Sequence, residues 1–173
     1  ELKVEISRWF AARFGVNLDA DKEILVLIGS KEGIAHLPFV MLNSGEVVLI
    51  PDPAYVAYRN STILADGIPV EVPLSADDGF LMKPYKVERK ILKNTRMMFV
   101  NYPNNPTAAT AGLDYYAELV DFCRSSGILL CSDNAYSELY YDENRKPVSV
   151  LQVPGAKDVA IEFHSFSKTF NMT

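Results

Sequence analysis

The apolar positions of this chain alternate between two spacings along its length. Apolar residues three or four positions apart predict helices, whereas short continuous apolar runs bounded by turn residues predict buried strands. The helical spacing occurs at 2–14, 34–42, 55–65, 84–93 and 113–125. The continuous runs, which predict strands, occur at 24–28, 47–50, 68–72, 97–100, 128–131 and 159–164. Pro38 is compatible with its predicted helix only if it falls in an early turn.

Strands made of continuous apolar residues and separated by helices are typical of a parallel sheet covered on both faces. The predicted fold class is therefore α/β, a three-layer α/β/α arrangement with a mostly parallel sheet. Pro69 cannot donate a ladder hydrogen bond, which places the 68–72 strand at an edge of the sheet. No repeat or linker interrupts the pattern, so we expect one domain. We also expect an internal fragment, because the chain opens inside a helical pattern and Thr173 follows no stop signal.

Composition and charge narrow the classes of function. The chain has 173 residues, a net charge of −5 and interspersed charges of both signs, which argues against a nucleic-acid surface. Its apolar runs are shorter than a membrane span, and no N-terminal signal pattern is present. Cys123 and Cys131 lack the spacing of metal ligands or of a redox pair, so we expect buried, reduced thiols in a cytoplasmic protein.

Polar segments follow several of the predicted strands directly. They read GSKEG at 29–33, NYPNNPT at 101–107, SDNAY at 132–136 and HSFSK at 164–168. Because ligands bind at the carboxyl ends of strands in such sheets, we expect these segments to meet at one site.

Three of these segments offer chemistry suited to an aldehyde cofactor, although each also has a simpler interpretation. Lys168 lies beside hydroxyl groups and could form a Schiff base, but a lone lysine is usually a surface residue. The 29–33 segment opens a helix and could bind a phosphate, or it could be an ordinary turn. Asp133 could pair with a pyridinium nitrogen, or it could simply cap a turn.

Asn105 and Tyr136 could likewise donate hydrogen bonds to a ring oxygen, and Tyr55 could stack on a ring. Taken separately, these are ordinary turn and packing residues. Their order along the chain, from phosphate loop to aromatic, Asn-Pro, Asp-x-x-Tyr and Ser-x-Ser-Lys, favours a pyridoxal phosphate (PLP) site.

The segments 102–107, 133–136 and 165–173 together resemble the aspartate aminotransferase (class I/II) family of fold-type I PLP enzymes. The resemblance extends over essentially the whole chain. The segment GSKEGIAHLP at 29–38 is most similar to the LL-diaminopimelate aminotransferase-like subgroup. The resemblance implies that residues 1–173 are the PLP-binding large domain, without the N-terminal segment and the C-terminal small domain of full-length members.

Carried over by position, the resemblance implies roles for individual residues. Lys168, Asp133 and Tyr136 would be catalytic: Lys168 holds the cofactor and moves a proton, Asp133 pairs with the ring nitrogen, and Tyr136 contacts the ring oxygen. The other implied cofactor contacts are Asn105 at the ring oxygen, Tyr55 at the ring face, and Ser30, Lys31, Ser165 and Ser167 at the phosphate. No metal is implied. The implied partners are an amino acid, a 2-oxo acid and a second subunit in a homodimer, with neither nucleic acid nor membrane.

Two alanines depart from the family pattern. Ala54 and Ala108 stand where the family commonly has glycine, and alanine would be strained at either position if the backbone needs a positive φ. The arginine that binds the phosphate in the family would lie beyond Thr173.

The expected function is that of a PLP-dependent aminotransferase, and two alternatives stay open. Another fold-type I PLP protein, either a C–S β-lyase or a PLP-binding regulator domain, would share the cofactor residues. A remote alternative is an acyl hydrolase, because 165–168 satisfies Ser-x-x-Lys and 132–134 reads Ser-Asp-Asn. In that class the two elements occur in the opposite order.

Overall fold

The computed structural model describes residues 1–172. Its helices are α1 (Leu2–Phe14), α2 (Ser30–Met41), α3 (Val56–Leu64), α4 (Arg89–Leu92), α5 (Leu113–Ser126) and α6 (Phe166–Thr169). Its strands are β1 (Val47–Asp52), β2 (Ile68–Pro73), β3 (Thr95–Asn101), β4 (Leu129–Asp133) and β5 (Ala160–Phe163). Among residues 1–172, no helix combines the length and the apolar character that crossing a bilayer requires.

The strands form one parallel sheet in the order β2-β1-β3-β4-β5. The predicted fold class is confirmed, and β2, which contains Pro69, lies at an edge as expected. The connections from β1 to β2 and from β2 to β3 run in opposite directions across the sheet. The carboxyl ends of β1 and β3 therefore flank the point where the strand order reverses, which is where such sheets bind ligands.

Helices cover both faces of the sheet because successive side chains of each strand point to opposite faces. In β1, Val48 and Ile50 pack with Ile34 of α2 and Tyr58 of α3. Leu49 points the other way, into the cluster that includes the buried face of α5. The two clusters hold the sheet rigidly between helices, and its strand ends are therefore fixed supports for a site.

The prediction of a strand at 24–28 is wrong. This segment has no regular secondary structure, and the side chains of Leu25 and Ile28 are 78% and 92% exposed. Its last amide, on Ile28, donates to the Glu32 carboxylate rather than to a neighbouring strand. The segment therefore leads directly into α2, and its apolar residues are not part of the sheet.

The predicted helix at 84–93 is also wrong as a single element. A short 3₁₀ turn at Pro84–Lys86 is separated from α4 because Val87 has an extended backbone conformation and Glu88 a non-helical one. The helix predicted at 34–42 exists, but it begins earlier, at Ser30. Pro38 consequently lies well inside α2 instead of in an early turn, and the carbonyl of Ile34 lacks the helical donor that a proline cannot supply.

Candidate functional site

A cleft of about 290 Å³ opens at the carboxyl ends of the strands. All the side chains predicted for the site line this cleft, namely Ser30, Lys31, Tyr55, Asn105, Asp133, Tyr136, Ser165, Ser167 and Lys168. The remaining lining residues are Gly29, Asn101 and Ala135. Segments far apart in the chain therefore meet at one place. The strand-end argument predicts this for the segments after β3, β4 and β5, whereas the 29–33 segment reaches the cleft as the start of α2.

Asp133 is the last residue of β4 and is 5% exposed. Its Oδ2 accepts a hydrogen bond from the hydroxyl of Tyr58 at 2.6 Å. Its Oδ1 is buried and has no hydrogen-bond partner within residues 1–172. Buried acceptors are almost always paired in native proteins, so this oxygen is open to a donor from water or from a bound ligand.

Burial raises the pKa of Asp133. This effect outweighs the hydrogen bonds from the Tyr58 hydroxyl and the Ala135 backbone, which lower the pKa. The charges of His164 and Lys168 also lower it, to a smaller extent. Burial therefore favours the neutral carboxyl more than water does. A cationic N–H donor at Oδ1 would oppose this shift and stabilise the carboxylate.

Tyr58 is a site residue that sequence reasoning missed. It lies in the first turns of α3, is fully buried, and stacks on Phe99 with ring centroids 4.7 Å apart. Burial, followed by the negative charge of Asp133, keeps the pKa of Tyr58 well above its usual value, so the hydroxyl remains a donor. Its spacing from Tyr55, one helical turn earlier, was the available signal.

Asn101 is the second residue that was missed. It ends β3 and is 2% exposed. Its Nδ2 donates to the backbone carbonyl of Asp133 at 2.8 Å, while its Oδ1 accepts from the backbone N–H of Asn105 at 2.8 Å. One buried amide side chain therefore links the end of β4 at Asp133 to the loop that carries Asn105.

The loop after Asn101 contains the strain expected at Ala108, whose φ is 60°. Two backbone hydrogen bonds close the loop, from the N–H of Ala108 to the carbonyl of Asn104 and from the N–H of Asn104 to the carbonyl of Ala109. These bonds hold Ala108 in the left-handed region despite its Cβ. Ala54, the other alanine in question, is not among the positive-φ residues of the described chain.

The opposite wall of the cleft is formed by the start of α2 and by Tyr55. Gly29 precedes α2 with φ 77° and ψ 152°, a conformation that favours glycine. The free amides at the start of this helix, together with its dipole, favour an anion beside Ser30. The Nζ of Lys31 lies 5.7 Å from the centroid of the Tyr55 ring.

Tyr136 and Lys168 complete the cleft. Burial, followed by the charge of Asp133, raises the pKa of Tyr136, whereas the Asn105 side chain lowers it. Its phenol therefore stays protonated at neutral pH and can act as a donor. Lys168 lies in α6, is exposed, and follows Ser165 and Ser167 at the mouth of the cleft.

Comparisons with known proteins identify similar enzymes. The chain is 53% identical over 168 residues to LL-diaminopimelate aminotransferase of Desulforudis audaxviator, covering 97% of this chain and 43% of the relative. It is 49% identical over 173 residues to the enzyme of the same name from Aquifex aeolicus, covering 100% of this chain and 44% of the relative. The chain therefore spans less than half the length of these relatives.

Solved structures are also similar to this chain over nearly its whole length. Substrate-bound BacF from Bacillus subtilis matches with a TM-score of 0.95 and 36% identity, over 99% of this chain and 43% of that one. A probable N-succinyldiaminopimelate aminotransferase from Thermus thermophilus matches with a TM-score of 0.92 and 34% identity, over 98% of this chain and 45% of that one. The family model for aminotransferase class I and II matches residues 1–173. The chain accordingly belongs to the family of class I and II aminotransferases.

Proposed function

We propose that residues 1–173 form the cofactor-binding large domain of an aminotransferase that moves an amino group between an amino acid and a 2-oxo acid. Members of the class I and II family depend on PLP. In this proposal Lys168 holds the cofactor in the cleft at the carboxyl ends of the strands.

The observation that carries the proposal is the unpaired Oδ1 of Asp133 at the cleft. Its partner must be a donor, and a cationic one would best offset the burial of the carboxylate. The protonated nitrogen of a pyridine ring has both properties. The anion-binding start of α2 at Ser30 and the hydroxyls of Ser165 and Ser167 suit the phosphate of the same molecule.

When bound, PLP supplies an aldehyde that reacts with amines and a cationic ring that accepts an electron pair. The carboxylate of Asp133 holds the proton on the ring nitrogen, and Tyr58 orients that carboxylate. Tyr136 and Asn105 hold the ring oxygen by hydrogen bonds, and Tyr55 covers one face of the ring. The Nζ of Lys168, once free and neutral, would take the proton from the substrate Cα and deliver it to the former aldehyde carbon of the cofactor.

As the amino donor we propose LL-diaminopimelate. The support is that relatives 47% to 53% identical to this chain carry that name. Solved relatives with other names, including an aromatic aminotransferase from Pyrococcus horikoshii at 33% identity, provide the alternatives to test. In this proposal Lys31, which lies near Tyr55 at the cleft wall, contacts the donor.

We further propose a cytoplasmic homodimer. Exposed apolar side chains on α2 and α3, among them Val40 at 79% and Leu64 at 73%, would be covered by a second subunit. The buried free thiols Cys123 and Cys131 suit a reducing compartment.

The test uses the full-length protein loaded with PLP. We expect a near-visible absorbance band that LL-diaminopimelate converts to the pyridoxamine form and that Lys168→Ala abolishes. Lys90→Ala is the matched control, because Lys90 is exposed and pairs with Glu88 outside the cleft. An unchanged band and unchanged turnover in Lys168→Ala would refute the assignment.

The same experiment separates the alternatives. A normal band without amino transfer, but with release of a thiol from a cysteine conjugate, would indicate a C–S β-lyase. A band with no turnover of any donor would indicate a PLP-binding regulator domain. A covalent penicillin adduct on Ser165 would indicate the acyl hydrolase.

A further inference from the structure

The side chain of Arg13 joins α1 to a loop that lies more than a hundred positions further along the chain. Its Nε donates to the Glu138 carboxylate at 3.0 and 3.3 Å. Its Nη2 donates to the backbone carbonyl of Ser137 at 3.3 Å and to that of Pro147 at 3.0 Å. A single guanidinium thus contacts both ends of the segment 134–149, which is here called the tyrosine loop because it carries Tyr136.

The tyrosine loop leaves β4 directly after Asp133 and returns to the fold at a short 3₁₀ turn, Val150–Gln152. In addition to the Arg13 contacts, the Nδ2 of Asn134 donates to the carbonyl of Val148 at 3.1 Å, which joins the two ends of the loop. Tyr136 therefore lies between two anchored residues, Asn134 and Ser137, which are 0% and 1% exposed. The ends of the loop are fixed, and the phenol projects into the cleft.

The Arg13–Glu138 pair differs from the other arginine pairs of the chain in its burial. The two side chains are 15% and 18% exposed, whereas Arg8 and Glu5, on the same helix, are 70% and 64% exposed. Charge-assisted hydrogen bonds are stronger in such a partly dry setting. The planar fork of arginine also reaches several acceptors at once, which a lysine ammonium on a single flexible stem does not reproduce.

We propose that Arg13 is a positioning residue for the cofactor site: it holds the tyrosine loop so that the Tyr136 hydroxyl is presented to the cofactor ring. This inference rests on the proposed function, in which Tyr136 donates to the ring oxygen. A donated hydrogen bond stabilises the anionic oxygen and reduces its attraction for the proton on the nitrogen that joins Lys168 to the cofactor. Loosening Tyr136 therefore raises the pKa of that nitrogen.

The experiment follows the near-visible band of the PLP-loaded, full-length protein as a function of pH, well below its melting temperature. Tyr136→Phe should move the midpoint upward by about one pH unit, the scale of one hydrogen bond to a charged group. Arg13→Ala should move it in the same direction and raise the dissociation constant for PLP about tenfold. Arg13→Lys should have an intermediate effect. The groups that face Tyr136, namely Asp133, Asn105 and Tyr55, are unchanged in the Arg13 variants.

Arg8→Ala is the matched control, because within residues 1–172 the guanidinium of Arg8, also on α1, pairs only with the exposed Glu5. Its midpoint should equal that of the unaltered protein. The double variant Arg13→Ala/Tyr136→Phe should show the midpoint of Tyr136→Phe alone, since Arg13 acts through Tyr136. If Arg13 had a structural role without positioning Tyr136, the Arg13 variants would have a lower melting temperature and an unchanged midpoint.

Two results would overturn the inference. One is an Arg13→Lys midpoint equal to that of Arg8→Ala, which decides the question even if Arg13→Ala does not fold. The other is a double variant whose shift is the sum of the two single shifts, since Arg13 would then act by a different route. If instead the unaltered protein forms no band with PLP, the proposed function itself fails.

Discussion

At the scale of single residues, Asp133 combines a buried carboxyl, a tyrosine donor on one oxygen and no protein partner on the other within residues 1–172. This arrangement stabilises a bound cation at the expense of the cofactor-free protein. Binding sites often trade stability for function in this way. The trade can be measured, because the pKa of Asp133 is raised by burial.

We predict that the cofactor-free protein loses stability through Asp133 as the pH rises. A carboxyl whose pKa is higher in the folded state than in the unfolded state favours folding while it is protonated. Its contribution is therefore complete below the ordinary value of 3.8 and is lost as the pH rises through the folded pKa. The melting temperature of cofactor-free Asp133→Asn should equal or exceed that of the unaltered protein at pH 7, and the difference should shrink towards pH 4. With PLP bound, the order should reverse. A constant difference across this pH range would contradict the role of burial.

Tyr58→Phe tests the donor to Asp133. Loss of the 2.6 Å hydrogen bond removes an effect that lowers the pKa of Asp133. Activity should therefore decline at a higher pH on the acid side of the profile. At neutral pH we expect kcat to fall about tenfold, the scale of about 1.4 kcal/mol. Tyr115→Phe is the control, since its hydroxyl donates to the carbonyl of Met82, away from the cleft. An acid limb that is the same in both variants would contradict the assignment.

At the scale of elements, the parallel sheet aligns the ends of the strands from which the functional residues extend. Asn101 at the end of β3 lies opposite Asp133 at the end of β4, so one short amide side chain reaches both loops. The strands are buried on both faces between two helical layers, which fixes the positions of these ends. The order of the site therefore depends on strand pairing as well as on side chains in the cleft.

Asn101→Ala should weaken this alignment. It leaves the buried carbonyl of Asp133 without this partner, which costs about 1–3 kcal/mol of stability. It also removes the part-buried hydrogen bond from the N–H of Asn105. We expect the melting temperature to fall and the dissociation constant for PLP to rise at least tenfold, as measured by thermal unfolding and by titration. Asn94→Ala, just before the opposite end of β3, removes only an exposed hydrogen bond to Gly45 and should change neither quantity by much. Equal PLP affinities in the two variants would contradict the argument.

The strands of this fold could be predicted from sequence because a parallel strand buried on both faces is a continuous apolar run. The same rule failed at 24–28, since an apolar run does not reveal whether a neighbouring strand is available. Nor did the pattern at 84–93 reveal the non-helical residues Val87 and Glu88 that divide it.

The predicted lining of the cleft came from short motifs, each contained in a few consecutive residues. Tyr58, Asn101 and Arg13 act on partners that are 75, 32 and 125 positions away, respectively. Asn101 and Arg13 carry no local signal of such contacts, and the only signal for Tyr58 is its spacing from Tyr55. Only the folded chain identifies them.

At the scale of the whole molecule, the described chain is a sheet whose strand ends, loops and helix starts converge on one cleft. The chain covers 43% of its relative from Desulforudis audaxviator, so the choice of substrate is tested only in the full-length protein. The residues proposed to bind the cofactor, by contrast, line a cleft of this chain, and only the phosphate-binding arginine that the family resemblance implies would lie beyond Thr173.

The most direct test of the proposed cofactor-binding site is to reduce the PLP-loaded, full-length protein with borohydride and to map the modified peptide by mass spectrometry. Reduction converts the carbon–nitrogen double bond between lysine and cofactor into a stable single bond. We predict a pyridoxyl group on Lys168 and none on Lys31, the other lysine that lines the cleft. Modification of a different lysine, or no modification of any lysine in a protein that retains PLP, would contradict the account.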